Sequence, residues 1–348
     1  MLDPMTGLAV VTGGSGYFGS YLVDELRSRG RAVRVFDLVD HDGRAGDVEF
    51  VPGDVRSAED VRRAVHGADV VYHNVAQVPL ARDRALFESV NVGGTATLLE
   101  ACEDAGVSKV VYTSSSAVFG VPASNPVHPE TPPRPVEPYG RAKLRGELLC
   151  KAAVTRGLDV TIIRPRTILG LGRLGIFAIL FDWIADGASV PVLGAGDNRY
   201  QFVHAHDLAT ACILAADHPG PGVFNIGAEE FGTMRETVEH LCDYAGTGAR
   251  VRSLPVGLTS KAMHLSAAMR LTPFAPYHWI MYSKEMWFDL TPAQRELGWQ
   301  ATISTDQAMR ESYDWFLAHR SELARTTGSR HQSPAKQGIL AIAKRLLR

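Results

Sequence analysis

Cysteine is scarce in this chain: Cys102, Cys150, Cys212 and Cys242 are the four among 348 residues, and none stands in a C-x-x-C spacing. That excludes a disulfide framework and a thiolate zinc site, so no metal is expected, and it suits reduced thiols in a cytoplasmic setting. Long apolar runs are lacking too. Even Ile176–Phe181 is too short to cross a bilayer, and the N-terminus has neither a basic region nor a cleavable apolar segment, so neither secretion nor a membrane span is expected. Net charge is small, 36 Lys and Arg against 38 Asp and Glu, which gives no electrostatic reason to expect nucleic acid. Acids are missing locally: none follows Glu322, whereas six Lys or Arg fall between Arg325 and Arg348. The tail is basic on a slightly acidic body.

What is present is a rhythm. Leu8–Thr12, Ala32–Asp37, Glu49–Val51, Asp69–Tyr72, Lys109–Ser114 and Asp159–Ile163 read as strands, each followed by a longer amphipathic stretch. Alternation of that kind predicts an α/β fold, a Rossmann-type doubly wound parallel sheet with helices on both faces. After Arg164-Pro165 it breaks down into helices, short strands such as Val190–Leu193 and Gln201–Val203, and aromatic-rich connections, expected to form a smaller substrate-binding lobe. The expected division is 1–165 for the cofactor-binding core, 166–322 for remaining core strands and the lobe, and 323–348 for the tail. Seven prolines between Val121 and Pro138 exclude a helix there and predict a constrained loop at the rim of the substrate pocket.

The first strand closes on Thr12-Gly13-Gly14-Ser15-Gly16-Tyr17-Phe18-Gly19, which fits Gly13-x-x-Gly16-x-x-Gly19 at a strand-to-helix turn. Missing side chains there let backbone N–H groups and the positive helix end approach a diphosphate. Asp37 ends the second strand about 20 residues on, where a carboxylate accepts from both ribose hydroxyls and would repel a 2′-phosphate, so NAD is expected over NADP. Asp54, after the third strand, is placed either to reach the adenine amino group or to cap the helix beginning near Ser57.

Tyr139 and Lys143 stand at i and i+4 and share one face of a helix. A free phenol near pKa 10 is a poor base at neutral pH, but a cation ~4 Å away at an effective dielectric of ~20 supplies up to ~4 kcal/mol, enough to bring it into range. The strand end Tyr112-Thr113-Ser114-Ser115-Ser116 offers three hydroxyls to hold a substrate oxygen, and alternation alone does not choose among them.

Taken in order, TGGSGYFG, Asp37, Gly53-Asp54-Val55, Asn91-Val92-Gly93-Gly94-Thr95, YTSSSAVFG, Tyr139-x-x-x-Lys143 and Arg164-Pro165 resemble an extended short-chain dehydrogenase/reductase, the NAD-dependent epimerase/dehydratase family. The resemblance runs from residue 8 to about 319 and includes Phe202-Val203-His204-Ala205-His206-Asp207, in which His204 and Asp207 are expected to stabilise a turn. It implies Ser115 as the hydroxyl that holds the substrate oxygen, with Ser116 second, Tyr139 as acid/base, and Lys143 on the ribose. It further implies NAD contacts at Gly13, Gly16, Tyr17, Phe18 and Gly19 of the loop. Beyond the loop they fall at Asp37, Asp54, Val55, Ala76, Asn91, Tyr139, Lys143 and Pro165.

Within that family, dehydration calls for Asp-Glu after the catalytic hydroxyl, and Ser116-Ala117 stand there instead. Between Leu254 and Asp289 lie Met263, Met269, Phe274, Tyr277, Trp279, Met281, Tyr282, Met286 and Trp287, a pattern similar to the 3β-hydroxysteroid dehydrogenase-like branch with its bulky apolar substrates. Arg166, Arg173 and Arg199 could instead clamp a diphosphate. The expectation is thus an NAD-dependent dehydrogenase or ketoreductase of a bulky small-molecule substrate, with a nucleotide-sugar 4-epimerase as the alternative and a non-enzymatic cofactor-bound regulator as the third. A homodimer through helices around Glu88–Ala105 and Tyr139–Arg156 is implied by resemblance only. The tail from Ser333 places Ile339, Ile342, Ala343 and Leu346 at helical spacing beside Lys344, Arg345 and Arg348. A peripheral membrane contact, docking on a neighbouring subunit and simple disorder are its three readings.

Overall fold

The computed structural model describes residues 7–41, 43–77, 84–173, 175–269, 280–323 and Lys344. Seven parallel strands form the central sheet: β1 (Leu8–Thr12), β2 (Ala32–Asp37), β3 (Glu49–Pro52), β4 (Ala68–His73), β5 (Lys109–Thr113), β6 (Val160–Pro165) and, later in the chain, β10 (Gly222–Ile226). Their order is β10-β6-β5-β4-β1-β2-β3; β1 pairs in regular register with β2, Val10 opposite Arg34, and against β4 the register shifts once between Leu8 and Ala9, after which Val10 lies opposite Val71. This is the doubly wound arrangement expected, and the strands fall within a residue or two of the sequence assignments. Central strands read as apolar runs because both faces are covered: Ala9, Val10 and Val11 are all fully buried.

One face is covered by α1 (Tyr17–Ser28), packed on a later helix at Ala205–Asp217. The other carries α2 (Ala58–Val65), α3 (Thr95–Ala105, entered through a π-helical turn at Phe87–Gly94) and α4 (Pro138–Arg156). Helix α1 presents Leu22 and Leu26 at helical spacing, both fully buried. Each contributes on the order of 2 kcal/mol by burial, and truncating either to alanine costs about 2–5 kcal/mol.

The lobe begins at once after β6. Strand β7 (Thr167–Leu169) pairs in parallel with β9 (Phe202–His204), and β8 (Val190–Leu193) with β11 (Val251–Leu254). Around them pack α5 (Phe177–Ala185), α7 (Met234–Ala245) and α10 (Thr305–Leu323), with α8 (Val256–Ala268) following β11; α6 (Ala205–Asp217) is the helix packed on α1 over the sheet, and α9 (Thr291–Leu297) lies against α6 and β10. His204 caps α6 by accepting from the His206 N–H at 3.2 Å and so holds the strand-to-helix turn as expected, whereas Asp207 accepts from Thr302 and Ile303 and ties a distant loop to the helix instead.

The proline-rich segment corrects the sequence reading. No residue from 121 to 137 lines the cleft. The segment instead straps the core to the lobe: the Val127 N–H donates to Trp287 O at 2.8 Å, Val127 O accepts from Asp289 N and from the buried Asn225 amide, both at 3.0 Å, and Pro129 O accepts from Arg164. These partners lie roughly 35 to 160 residues away along the chain, which is why local composition showed the constraint but not its direction.

Candidate active site

The cleft runs across the carboxyl ends of the strands. Gly13, Asp37, Gly53, Asn74, Thr113 and Pro165, which end or follow β1 to β6 in turn, all line it. It encloses about 1010 Å³, at the top of the usual range for small-molecule sites and enough for a dinucleotide beside a second molecule.

At one end the glycine loop meets α1. A Cβ on Gly19 would lie 2.0 Å from Gly13 O, so only glycine lets helix and loop close up. Gly16 occupies the N-cap and no side chain caps the helix, which leaves the first-turn N–H groups to a diphosphate. Asp37 accepts from Ser15 N at 3.2 Å and Leu38 N at 2.8 Å, bonds that aim its half-buried carboxylate, while burial pushes its pKa up. Beside it stands Leu38, 65% exposed, where a 2′-phosphate would need a cation. Asp54 is not the cap of α2; Ser57 is, accepting from Asp60 N. Asp54 lies in the cleft wall, bonded to Arg56 Nε at 2.9 Å, and that guanidinium holds its carboxyl below the usual range. Tyr17, Phe18, Val55 and Ala76 also line the cleft. These features fit NAD.

Asn91 does not line it. Its buried amide holds the backbone of Gln77, accepting from Gln77 N at 2.7 Å and donating to Gln77 O at 3.0 Å. It therefore positions the wall that Ala76 and Gln77 form rather than touching a cofactor.

Helix α4 carries the candidate acid/base tyrosine and its lysine. Glu137 caps it by accepting from Tyr139 N at 2.7 Å, Pro138 opens it, and Gly140 admits Ala117 O so closely that a Cβ would sit 2.4 Å away. Tyr139 in the first turn and Lys143 in the second both line the cleft. The Lys143 ammonium is buried, donates to Thr113 O at 2.7 Å and lies 5.0 Å from the Tyr112 ring centre. Burial pulls its pKa down to about 8. Behind it His73 bonds Thr12 at 2.8 Å and Thr95 at 3.1 Å; burial and the neighbouring ammonium push it down to about 3, so it stays neutral.

The three serines separate by environment. Ser114 is buried and donates to Glu147 at 2.6 Å. Ser115 caps the 3-10 turn Ser116–Phe119, accepting from Ala117 N at 3.2 Å and keeping its own proton to donate; Ser116 is buried in that turn. Strand alternation does not apply because β5 ends at Thr113. Glu147, absent from the sequence reading, extends the same helical face at i+8 from Tyr139, and that spacing was the available signal. It is fully buried and bonds Arg164 Nε at 2.8 Å and Nη2 at 2.7 Å.

Beyond Tyr139 the wall is apolar, with Phe177, Leu180, Trp183, Leu193, Met263 and Met281 among its residues. The proposed clamp does not assemble. Arg166 borders the cleft but is 1% exposed, with its guanidinium 4.7 Å from the Tyr200 ring centre and Nε donated to Gln201 O. Arg199 lies outside the cleft, stacked on Phe231 and Trp287 at 4.8 and 4.6 Å. Arg173 does line it, against Tyr17 and Phe177. Of the aromatic stretch, Met263, Met281 and Tyr282 line the cleft, whereas Phe274, Tyr277 and Trp279 fall outside the described residues. In the tail only Lys344 is described; it is buried and pairs with Asp186 at 2.7 Å and with Asp182, within its own chain.

A glycine-looped dinucleotide cleft with tyrosine and lysine one helical turn apart defines an oxidoreductase of the extended short-chain dehydrogenase/reductase type. Residues 9–227 match the NAD dependent epimerase/dehydratase family, and the chain belongs to it, an enzyme family whose cofactor is NAD. The chain is 51% identical over 341 residues to an uncharacterized protein, y4nG, of Sinorhizobium fredii, covering 98% of this chain and 86% of that one. It is 30% identical over 335 residues to a 3-beta-hydroxysteroid dehydrogenase of Mycolicibacterium neoaurum, 89% and 91% of the two chains. Among solved structures, MoeE5 in complex with UDP-glucuronic acid and NAD superposes with a TM-score of 0.73 at 28% identity, over 90% of this chain and 100% of that one.

Proposed function

We propose that the protein oxidises a secondary alcohol of a bulky apolar molecule, or reduces the corresponding ketone. The supporting observation is the apolar wall beyond Tyr139, with Arg166 buried in a stack and Arg199 outside the cleft. Tyr139 takes the hydroxyl proton, Ser115 donates a hydrogen bond to the same oxygen, and Lys143 favours the phenolate. NAD, held along the glycine loop, Asp37 and Pro165, supplies the acceptor for the hydride that leaves the carbinol carbon.

The second reading, a nucleotide-sugar 4-epimerase, draws on the likeness to MoeE5 and on Arg173 in the cleft wall. Cofactor accounting separates the two. Incubated with NAD and a panel of apolar secondary alcohols, a dehydrogenase accumulates NADH and ketone in equal amounts. Epimerised UDP-sugar with no net NADH would overturn the first reading.

A homodimer through α3 and α4 accompanies this proposal, supported by Leu148 on α4, 55% exposed, and tested by light scattering of Leu148→Glu. Four buried free cysteines suit a reducing cytoplasm.

A further inference from the structure

Helix α8 turns apolar side chains outward. Leu258 is 72% exposed, Leu265 63%, and Met269, just past the helix end, 60%. At about 100° per residue these three fall within a stripe roughly 40° wide, whereas Thr259 and Met263 lie about 100–140° round the helix. Those two line the apolar cleft. One helix thus forms a wall of the cavity and, on a separate edge, a bare apolar ridge. Apolar side chains scattered singly on a surface need no explanation, but a ridge of three beside a cavity does.

Charge identifies what covers it. From residue 247 to 284 the sequence holds no Asp or Glu and five Lys or Arg: Arg250, Arg252, Lys261, Arg270 and Lys284. Of these, Arg250, Arg252, Lys261 and Lys284 are exposed. An apolar ridge in a stretch that carries exposed cations and not a single acid is complementary to an anionic lipid surface. A ridge of three side chains covers on the order of a few hundred Å², short of the ~800 Å² per partner of a standard protein interface. No helix among the described residues is long and apolar enough to cross a membrane, so the contact is with one leaflet.

We propose that α8 seats the protein on an anionic bilayer, with Leu258, Leu265 and Met269 among the acyl chains and Lys261 at the headgroups. A lipid-like substrate would then pass between the bilayer and the cavity beside Thr259 and Met263. The seat stands on exposure and charge, and only the substrate's route rests on the function proposed above. The described lysine of the tail is paired with Asp182 and Asp186, so α8 and not Lys344 makes this contact.

Flotation of the full chain with phosphatidylcholine vesicles, with and without phosphatidylglycerol, tests it in the absence of substrate. The wild type should float with the anionic vesicles, less as salt is raised and less on phosphatidylcholine alone. Leu258→Asp with Leu265→Asp should weaken binding about 100-fold, roughly tenfold for each leucine withdrawn from hydrocarbon. Both side chains are exposed, so an unchanged melting temperature certifies the fold. Wild-type protein left at the bottom of the gradient overturns the proposal, as does a double variant that floats equally well. A mass that halves in the double variant by light scattering also overturns it, because a second copy would then cover the ridge. None of these outcomes touches the redox reading, which NADH production tests separately.

Discussion

Glu147→Ala is the most demanding perturbation. The carboxylate accepts three bonds, from Ser114 Oγ at 2.6 Å and from Arg164 Nε and Nη2 at 2.8 and 2.7 Å, with Glu147 0% and Arg164 2% exposed. Its removal leaves the guanidinium buried with Pro129 O as its remaining bonded partner. Breaking a buried pair in this way costs about 3–5 kcal/mol. A chain of 348 residues at about 2.1 cal/mol/K per residue has an unfolding entropy near 0.7 kcal/mol/K, so Tm should fall by about 4–7 °C. Replacing both partners by apolar side chains, Glu147→Leu with Arg164→Met, should recover most of that loss, because no unpaired charge remains. Activity should behave differently. Ser114 precedes Ser115, and Glu147 lies one turn beyond Lys143, so both variants loosen the catalytic groups and kcat should fall about 10- to 100-fold in each. Scanning calorimetry and kcat on the wild type, Glu147→Ala and the double variant give the result. A Tm for Glu147→Ala within 1 °C of wild type (against the roughly 4–7 °C expected) would refute the reasoning, as would a double variant less stable than Glu147→Ala.

Three further outcomes follow from the site. Tyr139→Phe should lower kcat about 10²- to 10⁴-fold while NADH binding, followed by fluorescence, stays within a few-fold; equal loss of both would make Tyr139 a binding group. Lys143 is lowered from 10.5 to about 8 in the folded apoprotein. Between those pH values the unfolded chain holds the proton that the folded chain has released, so it binds more protons and stability rises with pH across the window. Below pH 8 the full burial cost is present. Measured by urea unfolding, the wild type should gain up to about 3 kcal/mol relative to Lys143→Met from pH 8 to 10.5, and a flat difference would contradict the burial. Asp37→Ser removes the charge that repels a 2′-phosphate. The NAD-to-NADP ratio of kcat/KM should then drop by at least about tenfold, and an unchanged ratio would move the ribose contact elsewhere.

The sheet and the placing of Tyr139 and Lys143 on one helix were legible because their signals are local. Strand periodicity, the glycine turn and the four-residue spacing of Tyr139 and Lys143 each lie within one element. Residues whose role depends on distant partners were not legible. Asn91 belongs to the family pattern, yet its amide meets Gln77 across a turn that no spacing rule reports. Arg166 and Arg199 share a charge suited to clamping phosphate, but the lobe stacks one inside on Tyr200 and the other outside on Trp287. The resemblance already pointed to Ser115; what the residues alone left open was where β5 stops and that Glu147 takes Ser114, both products of tertiary packing.

The strap formed by residues 121–138 has a consequence for attempts to re-engineer specificity. It leaves the Ser116–Phe119 turn, bonds to the lobe at Trp287 and Asp289, and returns to the helix bearing Tyr139. The lobe is therefore not a detachable module. A graft that replaced only the residues after Pro165 would leave Val127 without its backbone ladder and pull on both the serine turn and that helix. A working transplant would have to carry the strap and the lobe together as two separate stretches of one inherited unit.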